Sequence, residues 1–579
     1  MVPVLFNYLM GNVAHTHAQH ENIFRRIHLA FESGFQRFRE TYRNALSWAL
    51  AEAKVTVLAF LALMLVSLLL FPMLGRDFFP QVDAGEMRLH VRAPPGTRIE
   101  RTQEDFARVE AAIRQLVGPE QISVILDNIG LPYSGINISL SDSATVGPMD
   151  GEVLISLKEK HSPTADLTAM LRRELPKRFA GMQFFFQPAD IVDQVLNFGQ
   201  PAPIDIRVSA SDTDSAYALA SHLATLISRV PGVVDSHVFQ VPDAPALTVD
   251  VDRALANELG MTQREAANNI LVAANSSAQT SPNFWVDPRN NVSYPLVVQQ
   301  PTYSFDSSHD LQTMPVTSGG QRTDQEGQLL MNLSSFGRQK VPMVTSQLNI
   351  RPVFDVHADV QGRDLYSASL DIDKVLDANR PPAAKAMHVT LSGQVETMRQ
   401  SYSGLFSGIA LAVILIYLFL VINFQSWIDP LIVLMAVPFA LSGVLWMLFL
   451  SQTHLSVPAL MGTLMCIGLT TANSILVVSF ANQRMADGDS PLVAAATAGY
   501  TRLRPVLMTA GAMMLGMVPM ALGVGEGGEQ NAPLARAVIG GLLFATFATL
   551  VFVPTMYRLL RRAPRVNVGT VIGGVRAGA

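Results

Sequence analysis

The stretch GLTTANSILVVSF, residues 468–480, sets Thr470, Thr471, Asn473 and Ser474 close together in apolar surroundings and carries no ionisable group. The apolar run around it extends over 460–480. At about 1.5 Å rise per residue, a helix of that length matches the hydrocarbon thickness of a bilayer. Read as a membrane helix, the stretch places polar side chains where lipid-facing residues would be Leu or Val. Hydroxyl and amide groups in such a setting either hydrogen-bond to neighbouring helices or line a polar path. Both roles fit these residues.

Five more runs have the length and apolarity to cross a bilayer: 55–74, 405–422, 431–450, 506–524 and 538–559, none with Asp, Glu, Lys or Arg in its core. The chain is 49% hydrophobic and 15% charged, with a mean hydropathy of +0.27. Five of the six runs crowd into 405–559, which leaves too little polar surface to cover them as buried helices of a water-soluble domain. Arg25, Arg26, Arg37, Arg39, Arg43 and Lys54 precede the first run, Arg484, Arg502 and Arg504 follow the fourth, and Arg558, Arg561, Arg562 and Arg565 end the last. By the positive-inside rule both termini are cytoplasmic. Segment 20–48 reads as an amphipathic helix in the cytoplasmic interface, with Phe24, Ile27, Phe31 and Phe35 on one face.

The remaining mass lies in 77–400, where strand-like and helix-like stretches alternate. GEMRLHVRAP, GEVLISLKE, MQFFFQP, APIDIRVSA, VVDSHVFQ and ALTVDVD read as strands. RTQEDFARVEAAIRQLV, LTAMLRRELPKRF, YALASHLATLISRV and QREAANNILVAA read as helices. This cadence fits two or more α+β units of split βαβ type. The stretch 284–343 is less regular and suits a projecting docking element. In FFF, 184–186, Phe185 must face opposite to its neighbours if the segment is a strand.

Catalytic and cofactor motifs are lacking. His90, His161, His222, His237, His309, His357 and His388 are scattered, Cys466 is the one cysteine, and no HExxH, P-loop or G-x-S-x-G occurs. The expectation is a non-enzyme without cofactor, driven by an ion gradient or a partner. A net charge of −5 with no basic tract argues against nucleic acid as a partner. Met513, Met517 and Met520 recur at helical spacing, a pattern of gap-filling packing and also of soft-cation ligands.

The order of one span, a large α+β domain and five close spans resembles one half of a resistance–nodulation–cell division (RND) transporter. GRDFFPQVDAGEMRLHVRAPPGTRIERT from Gly75 resembles the passage from the seventh span into the porter domain. LTVDVDRALANELGMTQREAANNI from Leu247 is similar to a porter signature. IGLTTANSILVVSFANQRMADG from Ile467, TRLRPVLMTAGAMMLGMVPMALGVGEGGEQN from Thr501 and PTMYRLLRR from Pro554 resemble the tenth, eleventh and twelfth spans. The hydrophobe/amphiphile efflux (acriflavin resistance, multidrug) branch is the best match, and only its C-terminal half is represented. The implied fold is an α-helical bundle of six transmembrane helices with a large periplasmic domain of ferredoxin-like βαβ units and a docking element. The implied organisation is 1–54, the end of a preceding span and the interface helix; 55–74, the first span; 77–400, porter and docking domain; 405–559, five spans; and 560–579, a cytoplasmic tail.

The resemblance also implies site residues. In the family, protons pass by a relay centred on two aspartates of the fourth span, which belongs to the other half. The tenth span faces them with a lysine, and the eleventh adds a threonine and an arginine. Here Ala472 matches that lysine, Asn473 the adjacent asparagine, Thr509 the threonine and Arg502 the arginine. The implied relay is lined by Thr470, Thr471, Asn473, Arg502 and Thr509, without the usual positive counter-charge. Loss of that charge raises the proton affinity of an aspartate pair. The stretch ILDNIGLPYSGINISLSD, 125–142, matches a substrate-pocket loop whose Gly130, Pro132 and Gly135 suit a bend. Asn128, Ile129, Leu131 and Tyr133, with Leu154 from the next strand, would line it.

By resemblance, then, the chain is expected to be half of a proton-driven multidrug exporter of the bacterial inner membrane. Its implied partners are the N-terminal half, two further copies in a trimer, a periplasmic membrane fusion protein, an outer-membrane channel, amphiphilic small molecules and protons. The alternatives are an RND-related export accessory, a non-transporting interaction module and a soft-metal cation exporter.

Overall fold

The computed structural model describes residues 23–131, 145–189, 194–195, 201–278, 282–301, 305, 307–318, 327–380, 387–525 and 527–561, with side chains from Glu32 onward. The chain opens with helix α1 (Ile23–Ala51), then α2 (Ala53–Leu70). Phe35 of the expected apolar face packs beneath the Arg504 guanidinium, 5.3 Å from the ring centre. The side chains of Phe24, Ile27 and Phe31 lie outside the described residues.

The first α+β unit runs β1 (Glu86–Arg92), α3 (Ile99–Val117), β2 (Ile122–Ile129), β3 (Asp150–Leu157), α4 (Thr164–Arg178) and β4 (Gln183–Gln187). Its sheet order is β2-β3-β1-β4, all antiparallel. Alternation along β1 sends Met87, Leu89 and Val91 to the helices, where they pack with Phe106, Val109, Ile113 and Leu171. Arg88, His90 and Arg92 therefore occupy the other face.

The second unit repeats this order around an insertion. β5 (Ile204–Ser209), α5 (Thr213–Ile227) and β6 (Val233–Val238) precede the insertion. Within it lie β7 (Ala244–Val251), α6 (Arg253–Glu258), α7 (Gln263–Asn275), β8 (Asn283–Val286), β9 (Ser293–Leu296), α8 (Ser308–Gln312), β10 (Pro315–Val316), β11 (Gln328–Leu329) and β12 (Ser334–Val341). The insertion has its own small core of Val251, Met261, Met314, Val316, Leu330 and Leu333. β13 (Ser346–Leu348), β14 (Arg351–Val360), α9 (Leu365–Ala378) and β15 (His388–Gly393) complete the unit. β14 pairs with β5 on one side and with β6 and β13 on the other, and β15 closes against β5.

The bundle follows: α10 (Gln394–Phe424), α11 (Ile428–Leu434), α12 (Val437–Leu450), α13 (Val457–Ala486), α14 (Pro491–Ala521), α15 (Gly528–Phe547), a π-helical turn (Ala548–Phe552) and α16 (Val553–Leu560). Six helical stretches among the described residues are long and apolar enough to cross a membrane. They outrun the apolar segments read from sequence. α14 begins at Pro491, so Arg502 and Arg504 sit inside a helix rather than in the expected loop. Backbone hydrogen bonds continue where hydropathy stops, which a hydropathy window cannot register.

The second unit and the bundle share one continuous apolar core. Ile206, Val356 and Ile372 join Leu74, Phe78, Val395, Met398, Leu448, Leu455 and Ala537 in it. Around that core, Leu365 N donates to Asp77 Oδ1 (2.7 Å), Tyr402 Oη lies 2.6 Å from Leu455 O, and His454 Nδ1 meets Asp77. The hydrogen bond to Asp77 holds the His454 imidazolium above its ordinary range.

Candidate functional site

Two polar assemblies stand out, one in the bundle and one between the α+β units. In the bundle, α13 and α14 bring Asn473 and Thr509 together. Thr509 Oγ1 lies 3.3 Å from Asn473 Oδ1, and also 3.1 Å from Pro505 O and 3.0 Å from Val506 O. A hydroxyl has one proton, so Thr509 can donate to only one of these three acceptors at a time. Arg502 lies two turns before Thr509 on α14, its guanidinium 4.9 Å from the Phe480 ring centre. Its buried Nε finds no acceptor among the described residues.

The other expected relay residues divide differently. Thr470 Oγ1 donates to Cys466 O (2.7 Å) and Thr471 Oγ1 to Gly468 O (2.8 Å), so both hydroxyl protons are engaged within α13. Thr470 and Thr471 are buried and satisfied, the arrangement of packing residues. Ser474 is different: its hydroxyl lies 3.1 Å from that of Thr549 in the π-helical turn, and both residues are buried. Ala472 lies on an exposed stripe of α13 with Met461, Met465, Gly468 and Leu476. The four neighbouring polar groups of the 468–480 stretch thus have different roles. Two of its polar groups serve their own helix, one ties α13 to the last helix, and one meets Thr509.

Of the expected substrate loop, 125–129 belongs to β2. Asn128 and Leu126 point to the open face of the first sheet, opposite Glu152 and Leu154. Ile129 points the other way and packs against the helix-side core, which removes it from that face. Leu131 is exposed just beyond the turn at Gly130, whose φ is +79°. Tyr133, Pro132 and Gly135 lie outside the described residues.

The second assembly was invisible as a motif. Three of the histidines that look scattered in sequence, His90, His237 and His357, converge where the two sheets face each other. Phe185 stacks between His90 (ring centres 4.3 Å apart) and His237 (3.8 Å), and His237 meets His357 edge to face at 5.8 Å. His90 Nε2 contacts Asp150, Arg92 pairs with the same carboxylate at 3.0 Å, and Arg88 pairs with Glu152 at 2.9 Å. Arg172 of α4 crosses to Asp235 (2.8 Å) and Asp359 (2.7 Å) of the second unit. Burial lifts the Asp150 carboxyl, but His90 and Arg92 more than offset it and hold the group below the usual carboxylate range. Burial depresses His357 to about 3, with Arg207 and Arg92 adding to the effect, and burial beside His357 keeps His237 neutral. Asp205, buried and next to Asp355, is pushed up to about 6. The available signal was alternation: Arg88, His90 and Arg92 share one face of a strand, and Asp150 and Glu152 share one face of another. Pairing strand with strand required the fold.

Below this junction, where both units meet the bundle, lies a cleft of about 940 Å³ with Pro80, Arg88, Arg172, Phe186, His454 and Arg536 in its lining.

A helical membrane bundle carrying two like α+β units with an inserted third piece defines half of an RND-type transporter. The chain matches the AcrB/AcrD/AcrF family over residues 1–561, and it belongs to that family. It is 28% identical to protein HelA of Legionella pneumophila over 89% of this chain and 48% of the relative. It is 26% identical to the cobalt-zinc-cadmium resistance protein CzcA of Cupriavidus metallidurans (90% and 48%) and 24% identical to the multidrug resistance protein MdtC of Serratia proteamaculans (96% and 51%). The fold matches the crystal structure of a heavy metal efflux pump with a TM-score of 0.75 at 23% identity, over 91% of this chain and 52% of that one. The chain spans about half the length of the curated relatives it matches.

Proposed function

We propose that this chain is the C-terminal half of a proton-driven export pump of the bacterial inner membrane, with both of its ends in the cytoplasm and the α+β units in the periplasm. The observation that carries the reading is the Asn473–Thr509 pair, flanked by Arg502 on one helix and Ala472 on an exposed stripe of the other. An N-terminal half supplying acidic residues would close over that stripe. Export would follow from alternating access between the two α+β units, both of which we read as ferredoxin-like. A trimer, a membrane fusion protein and an outer-membrane channel complete the assembly we envisage. The chain itself performs no enzymatic chemistry in this reading.

For the cargo we favour amphiphiles. Leu126 and Leu131 are exposed and Leu154 half-buried around the open sheet face, and apolar lining suits such ligands. Soft-cation export is the second reading. It draws support from the cobalt-zinc-cadmium resistance of CzcA and the heavy-metal efflux of the matched pump, and from Met513, Met514 and Met517 packing against the core cluster that contains Cys466. The test uses the complete pump in proteoliposomes with an imposed pH gradient. Gradient-dependent movement of a lipophilic cationic dye, with none for cobalt or zinc, is the expected result. The opposite preference would replace the amphiphile reading, and no gradient-dependent movement of either cargo would end the transporter reading.

A further inference from the structure

The last helix contains a defect that another helix repairs. Pro554 has no backbone N–H, so the carbonyl of Leu550, one turn earlier, lacks its regular helical donor. The chain adapts with a π-helical turn over Ala548–Phe552. Such turns widen a helix by one residue and recur at functional positions. The Leu550 carbonyl is met by the phenol of Tyr42 from α1, which donates to it at 2.8 Å in a buried setting, 508 residues away along the chain.

The surroundings are shaped for this bond. A Cβ on Gly499 of α14 would lie 2.8 Å from Tyr42 Oη and 2.7 Å from Leu46 Cδ2, so a side chain there would displace the phenol. On the far side, Phe552 packs against Phe439 (4.6 Å) and Phe60 (5.0 Å). The residue before Leu550 is Thr549, whose hydroxyl meets Ser474. Ser474 in turn adjoins Asn473, the partner of Thr509. Tyr42 is thus connected to the relay candidates through one carbonyl, one π-helical turn and one hydroxyl pair.

We propose that Tyr42 is a positioning residue for proton coupling: its hydroxyl holds the π-helical turn in place and thereby sets the register of Thr549 on Ser474 and the relay face of α13. The relay part rests on the proton-driven export reading. A π-turn that migrates by one residue carries the residue it passes from the register of one flanking helix into that of the other, a rotation of about 100° for that residue at 3.6 residues per turn. Tyr42 opposes that migration because only the present register offers it the Leu550 carbonyl.

The test compares wild type, Tyr42→Phe, Pro554→Ala and the double variant in native membranes carrying the complete pump. It reads membrane abundance, hydrogen exchange of the peptide covering 546–560, and the pH profile of gradient-driven export. Tyr42→Phe should leave abundance unchanged, speed exchange in that peptide about tenfold, as loss of a buried hydrogen bond implies, and shift the pH midpoint of export. Pro554→Ala restores an N–H for the Leu550 carbonyl. The double variant should therefore match Pro554→Ala alone in exchange and in pH profile. Unchanged exchange in Tyr42→Phe, or an effect of equal size in the Pro554→Ala background, overturns the inference. Faster exchange with an unmoved pH profile overturns the coupling role and leaves a brace. If wild type shows no gradient-driven export, the coupling role fails together with the export reading, while exchange still decides whether Tyr42 holds the turn.

Discussion

The Phe185 ring lies between the imidazoles of His90 and His237, 4.3 Å from one and 3.8 Å from the other, and so joins strands of two separate α+β units. Cation and carboxylate pairs surround this stack, with His90 buried and His237 half-buried at the junction. The junction is therefore sensitive to protonation. His237 and His357 are held neutral in the fold, below the value near 6.5 that they regain on unfolding. The native state binds fewer protons than the unfolded state below that value. Stability then falls as pH drops through 6.5, by up to about 1.4 kcal/mol per pH unit for each histidine. Asp205, raised to about 6, acts in the opposite sense between about 6 and 3.8 and partly cancels the loss. Thermal unfolding between pH 8 and 5 should show a declining midpoint, and His357→Asn should flatten the decline. A slope unchanged by that substitution would falsify the assignment.

Arg172 binds Asp235 and Asp359 together across the junction. Arg172→Ala leaves two carboxylates partly buried without their cation. The expected loss is about 3–5 kcal/mol, the range for breaking a buried pair from one side. Denaturant unfolding of the variant measures it, and a loss below about 1 kcal/mol would place the pair in the class of weak surface bridges.

Thr509→Ala removes the one side-chain bond that, among the described residues, joins Asn473 to α14. In the complete pump it should lower gradient-driven export roughly tenfold or more, a size typical of losing a positioned proton-transfer group, with membrane abundance unchanged. Thr509→Ser, which keeps the hydroxyl, should retain most of the activity. Equal export by wild type and the alanine variant would assign the pair to packing.

Ala472 lies on the exposed stripe of α13, so a longer side chain fits the fold as described. Ala472→Lys should shift the pH optimum of export downward in the complete pump. The reason is that a nearby ammonium lowers the pKa of facing carboxylates. A transport assay across pH 5.5 to 8 tests this, and an unmoved optimum argues that no titrating carboxylate faces this stripe.

Gly443 and Gly540 bring α12 and α15 into backbone contact. A Cβ on Gly443 would lie 2.2 Å from Gly540 O, and one on Gly540 would lie 2.5 Å from Gly443 O. Small residues allow such close helix approach in membranes, where packing is the main attraction. Gly443→Ala and Gly540→Ala should each reduce the amount of folded protein in the membrane, which quantitative blotting after detergent extraction reports. Normal amounts of both variants would show that the crossing can open without cost.

Much of this architecture is legible in the chain. The six apolar runs, the strand and helix cadence of the two units and the opposite facing of Phe185 follow from local hydropathy and periodicity, which act over a few residues. The strand β2 was hidden because its residues also read as a glycine-punctuated loop. The early start of α14 was hidden because hydropathy ends before the hydrogen bonding does.

What the sequence determined by itself is which segments seek an apolar environment, and which polar types are available inside them. Only the tertiary structure decided how those polar groups are used. Thr470 and Thr471 turn back on their own helix, Asn473 meets Thr509, Ser474 meets Thr549, and Tyr42 reaches the Leu550 carbonyl from the far end of the chain. The physical reason is that a hydrogen-bonding partner is selected by helix rotation and strand pairing. Those are set by packing between elements distant in sequence, and no local pattern encodes them.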